Sequence, residues 1–167
     1  MQTGNHSTDS TPTATLAIRA AVGGVFFISG LLKFLFENQG VGRFTKIGLP
    51  FPSLLAPSIG ALELLCGLLI AVGFLTRYAA LLLIADMMVA IATTKLPLLS
   101  GPGPEPVAAL PKTGLWAFAY QARLDVTMLL ACGFLAVVGA GAWSLDAWLA
   151  RRRKEPAAFS TRTEQPA

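Results

Sequence analysis

A single carboxylate set inside a long apolar run constrains this chain more than any other feature. Residues 57–75 read PSIGALELLCGLLIAVGFL, nineteen positions with Glu63 as their one charge. At 1.5 Å per residue a helix of that length covers roughly 28 Å, close to the hydrocarbon thickness of a bilayer. A carboxylate at that depth costs on the order of 2.5–3.5 kcal/mol, so it needs a compensating group or a purpose. At helical spacing Gly60, Glu63, Gly67 and Ala71 share one face, and Leu62, Leu65, Leu69 and Val72 lie largely off it. One side is small and polar and the other is greasy, which suits helices packed closely around a buried acid.

The rest of the composition agrees with a membrane solvent. Of 167 residues 54% are hydrophobic and 13% charged, with a mean hydropathy of +0.62, whereas a soluble domain carries about 25% charged residues. The net charge of +4 is scattered over segment ends and the C-terminal tail. Without a basic face interleaved with aromatics, nucleic-acid binding is not expected. Cys66 and Cys132 lie in separate apolar runs with no C-x-x-C spacing, and the one histidine, His6, sits in a polar segment. The bland reading of both thiols is packing; meeting at similar depth in the bundle is the alternative. No metal-ligand spacing is present.

Taken in order, residues 1–13 form a polar tail expected to be disordered. They lack the positive start of a signal peptide, so the run that follows reads as retained. Spans are predicted over about 16–36, 57–75, 76–94 and 123–142, within a membrane domain of about 14–150. The tight connection before Thr76 and Arg77 makes the second and third spans a hairpin. Residues 37–56 read as a loop with Pro50 and Pro52. Residues 95–121, with five prolines and three glycines, read as a longer loop ending in the interfacial aromatics Trp116, Phe118 and Tyr120. A basic, then polar, tail occupies 151–167. Its Arg151, Arg152, Arg153 and Lys154 place the C-terminus in the cytoplasm by the positive-inside rule, and four spans place the N-terminus there too. Arg43, Lys46, Lys95 and Lys112 on the outer loops weigh against that orientation.

Depth can be compared between spans. Lys33, Glu63, Asp86, Arg123 and Asp125 all fall in the same half of the bilayer, so three acids and two bases can compensate one another. Arg19, Arg77 and Asp146 fall near the opposite interface, where snorkelling is the ordinary explanation. The five-residue cluster reads either as salt bridges that lock helix order or as a polar cavity for a small molecule, a quinone headgroup or a partner protein. In the second case Glu63 is its centre, tunable as a proton acceptor by burial and by a neighbouring cation. No nucleophile triad or phosphate loop accompanies it, so no catalytic residue is assigned.

Arg19, Gly23, Gly30 and Lys33 in the first span, together with Gly48-Leu-Pro50, Glu63 with Gly67, and Gly73-Phe-Leu-Thr-Arg77, resemble the DoxX family. Gly139-Ala-Gly141-Ala-Trp-Ser144-Leu-Asp146 fits the same pattern, and the resemblance covers about residues 18–148. It implies an all-α, four-transmembrane-helix bundle related to the DoxD subunit of thiosulfate:quinone oxidoreductase and to MauE-type maturation proteins. It also implies a place in a redox or oxidative-stress assembly of the bacterial cytoplasmic membrane, with a soluble or membrane protein partner. Arg123 and Asp125 stand where many relatives carry a glutamate. With no cofactor motif in the chain, electrons would come from a partner or a thiol substrate and pass to quinone. The competing functions are small-solute binding or transport, assembly of another enzyme, and a scaffold; a homo-oligomer is compatible with each.

Overall fold

The structure, a computed structural model, describes residues 11–103 and 111–160. The proline-rich stretch 104–110, residues 161–167 and most of the expected N-terminal tail lie outside the described residues. Six α-helices are present among them: α1 Thr11–Leu35, α2 Val41–Ile47, α3 Pro52–Val72, α4 Thr76–Ala90, α5 Leu115–Val138 and α6 Leu145–Ser160. Four rods are long and apolar enough to cross a membrane: Thr13–Leu35, Pro52–Val72, Thr76–Leu99 and Leu115–Val138. The chain is an all-α, four-span membrane protein.

Its surface is inverted relative to a soluble protein. On α3, Leu65, Leu68 and Val72 are exposed, while Glu63, Cys66, Gly67 and Ile70 are buried. In water that arrangement would be unstable; against lipid tails it is the ordinary one. The apolar core joins Val22, Phe26, Cys66, Ile70, Leu83, Cys132 and Leu135 from four helices, and both cysteines are free thiols within it.

α1 and α3 pack backbone against backbone. A Cβ added at Gly23 would stand 2.7 Å from the Gly67 carbonyl oxygen, and one added at Gly67 would stand 2.6 Å from the Phe27 nitrogen. Gly30 meets Gly60 and Leu64 in the same way. Small residues are needed because helices in lipid gain most of their attraction from close contact rather than from expelling water.

Several boundaries differ from the sequence reading, each for a local reason. The loop expected over 37–56 contains α2 and the first turn of α3, which starts five residues before the predicted 57. Pro52 opens that helix, where its missing N–H is no loss, and Pro57 lies inside it, where it forgoes the bond to the carbonyl four residues back. The third span does not stop at 94. It continues through a wide π turn, Ile91–Lys95, and a tight 3₁₀ turn, Leu96–Leu99. Pro97 explains the change, because its ring would clash with the carbonyl four residues back in a regular helix. The fourth span runs over 115–138 rather than 123–142, so Trp116, Phe118 and Tyr120 lie in its opening turns. Gly139, at φ 84°, ends it. The basic cluster expected in a tail continues α6.

One end of the bundle carries both the start of α1 and the start of α6. There Arg19, expected to snorkel, is buried at 2% exposure. Its guanidinium donates to the carbonyls of Ile70 (3.0 Å) and Ala71 (2.8 Å) at the end of α3, and to those of Ala140 (2.9 Å) and Trp143 (2.7 Å). Helix-terminal carbonyls have no partner within their own helix and carry partial negative charge, so a cation fits them. Arg77 does the same for α5, donating to the Val137 carbonyl at 3.2 Å. Ser144 caps α6 through the Ala147 N–H at 3.1 Å.

Candidate functional site

The opposite end of the bundle holds the charged residues. Lys33, in the last turn of α1, reaches the Glu63 carboxylate on α3, and its Nζ also donates to the Ser29 hydroxyl at 3.1 Å. Ser29 in turn donates to Glu63 at 3.2 Å. Ser29 and Lys33 are four apart and therefore one above the other on α1. The Lys33 and Glu63 side chains are 8% and 4% exposed, so the pair sits away from solvent.

A cavity of about 120 Å³ opens beside this pair. Asp86 on α4 lines it together with Glu63. Lys95, at the end of the π turn, and Asp125 on α5 line it as well, their charged atoms 3.9 Å apart. Arg43 from α2 closes one side, and Phe44, Ile59 and Met87 supply apolar wall. Glu63, Asp86 and Asp125 are thus matched by Lys33, Arg43 and Lys95 around one small space. Such matching is what makes so many charges tolerable inside a membrane domain.

Four of the five residues singled out from the sequence meet here: Lys33, Glu63, Asp86 and Asp125. Arg123 does not. It is exposed, its guanidinium carbon 3.8 Å above the Tyr120 ring centre, and it donates to the Tyr120 carbonyl. The signal was present, because residues two apart on a helix do not face the same way. Arg123 instead lines a wider vestibule of about 610 Å³, which shares Ser29, Arg43, Lys95 and Asp125 with the cavity.

Lys95, Arg43 and Ser29 were missed. The prolines around it put Lys95 on an outer loop, yet it is buried at 8% exposure. In a regular helix its nine-residue separation from Asp86 would set it about 180° away, on the far side of the rod. The wide turn over Ile91–Lys95 shifts the register and swings it to the cavity. Wide turns of this kind recur at functional positions. Among the described residues no group of three His, Cys, Asp or Glu side chains could hold a metal ion.

The DoxX family profile matches residues 14–96, from α1 through the π turn. The chain is 42% identical over 142 residues to "Uncharacterized membrane protein Rv3486" of Mycobacterium tuberculosis, covering 84% of each chain. It is 31% identical over 140 residues to "Putative oxidoreductase CatD" of Bacillus subtilis, covering 84% of this chain and 90% of that one. No solved structure matches it. The profile includes the α1–α3 glycine seam, Arg19, Lys33 and Glu63, and both relatives extend over most of the bundle; the chain belongs to the DoxX family of membrane proteins.

Proposed function

We propose that this protein is a membrane subunit of a redox assembly and that its charged cavity receives the head of a quinone. The observation that carries the reading is the cavity itself: two lysine ammonium groups and three carboxylates line one small space that also has apolar walls. An apolar cavity of roughly 150 Å³ admits benzene, so about 120 Å³ suits a single ring edge, with the adjoining vestibule taking the rest of a headgroup. Lys33 and Lys95 would orient the ring by donating to its carbonyl oxygens, and Asp86 would lie on the path of protons to them. Electrons would come from a protein partner or a thiol substrate. The Bacillus subtilis relative named as an oxidoreductase supports the same class. The two bacterial relatives support a bacterial cytoplasmic membrane setting, and the basic residues of α6 support both termini cytoplasmic with the cavity toward the outer face.

A second reading has its own observation. The vestibule is lined by Arg43, Lys46, Lys95 and Arg123 against the single acid Asp125, a basic mouth suited to a small anion or an acidic partner surface without any electron transfer.

The test is purification in mild detergent, mass spectrometry of co-purifying lipophilic molecules and proteins, and titration with a short-chain quinone. Wild-type protein should retain quinone and a redox-active partner, and Lys95→Met should weaken quinone binding at least ten-fold. Absence of quinone binding by the wild type, with an anion binding in its place, would replace this reading with the second one.

A further inference from the structure

The end of the bundle far from the cavity carries a second surface that the charged site does not use. α6 follows α5 after a short connection, so it starts at the membrane boundary. Trp143, just before it, is 64% exposed, and Trp148 is 44% exposed. An open groove of about 670 Å³ runs between the end of α3 and the start of α6, lined by Val72, Trp143, Leu145, Trp148 and Arg151. Among the described residues no acid lines it; Asp146 faces a separate cleft beside Arg77. Arg152 rests on the Trp148 ring, its guanidinium carbon 4.1 Å from the ring centre, and Arg153 and Lys154 follow in the chain.

We infer that this groove binds the headgroup of an anionic phospholipid, with the acyl chains lying along α3 and the phosphate against Arg151 and Arg152. Three independent features select that occupant. The groove's apolar wall is continuous, through Val72, with the lipid-facing side of a membrane span. Its two tryptophans belong to the residue type that settles at headgroup depth. Among the described residues its charged rim, Arg151 with Arg152 beside it, is cationic, and clusters of this kind beside a span are drawn to anionic lipid. Stacking on Trp148 holds the Arg152 guanidinium beside the groove, where its N–H edge can meet phosphate. Arg151 is braced by the carbonyls of Ala142 (3.0 Å) and Ala147 (3.3 Å), which keeps its charge at the groove rather than in solution. The headgroup would thereby tie α6 to the interface, giving the basic helix a fixed depth independent of the cavity's chemistry.

The inference is tested on the full-length chain in lipid vesicles, in a Trp116→Phe background so that fluorescence reports Trp143 and Trp148. Trp116 lies at the other end of the bundle, in the first turn of α5. Phosphatidylglycerol brominated on its acyl chains should quench this emission at roughly 25-fold lower mole fraction than brominated phosphatidylcholine, two basic residues each contributing about five-fold. Arg152→Gln should reduce that preference about five-fold, the equivalent of about 1 kcal/mol per basic residue near an anionic surface. Arg151→Gln combined with Arg152→Gln should abolish it. Unchanged quenching by brominated phosphatidylcholine shows that each variant is still inserted and folded, and excess inorganic phosphate should not displace the lipid. Equal quenching by the two lipids in the parent protein would overturn the proposal and leave the basic face to an acidic protein. So would a preference that survives in Arg152→Gln and in the double variant, or one removed by inorganic phosphate.

Discussion

Lys33 and Glu63 are thirty positions apart in the chain and joined in the structure. A pair so buried gains from its mutual attraction only while both members are present; loss of one leaves a charge without compensation, at a cost of about 3–5 kcal/mol. Glu63→Gln and Lys33→Met should therefore each lower thermal stability in detergent, while the double variant should recover most of the loss. Additive losses in that cycle would mean that the two side chains act separately. That the two lie in the same half of the bilayer was legible in the sequence, because depth along two predicted spans can be compared without coordinates; that Lys33 rather than Arg123 is the partner was not. Arg19 was not. Its place near an interface suggested snorkelling, yet it is the residue that ties the end of α3 to the segment before α6. Its acceptors are backbone carbonyls, which every residue possesses, so no side-chain pattern in the sequence marks them.

Between elements, the α1–α3 seam determines how closely two helices can lie. Gly67→Val should prevent recovery of monodisperse protein, because the first added carbon already falls 2.6 Å from the Phe27 nitrogen. Gly24→Ala serves as the comparison: a Cβ there meets nothing within 4 Å, and alanine is favoured over glycine inside a helix by roughly 0.5–1 kcal/mol. Size-exclusion profiles and melting temperatures of the two variants check this. Equal behaviour would show that the seam is not tight. The glycine spacing in α1 and α3 could be read from the sequence. The π turn before Pro97 could not, since a proline predicts that a regular helix ends without saying whether the rod stops or continues in another form.

For the whole molecule, an even number of spans brings the start of α1 and α6 to one end and the cavity to the other. Single cysteines at Ser100 and Ala150, both exposed, should be labelled from opposite sides of intact membranes. The background would carry Cys66→Ala and Cys132→Ala, which removes the two buried thiols. Labelling of both positions from the same side would refute the four-span arrangement. Labelling of Ala150→Cys only after the membrane is opened from the cytoplasmic side would also fix the orientation inferred from the basic cluster on α6.

The sequence by itself determined the solvent, the number of spans and the half of the bilayer in which Lys33, Glu63, Asp86 and Asp125 lie, because hydropathy and helical rise act along one chain. Only the tertiary structure decided which of those charges face one another. That choice depends on rotation about each helix axis, and rotation changes by about 100° with every residue of register. Arg123 turned outward because it sits two positions from Asp125, and Lys95 turned inward because a wide turn altered its register. Arg43 reached the cavity because α2 folds back over its mouth. Depth is a sum over local rises and tolerates small errors; facing is an angle, and a single inserted residue redirects it.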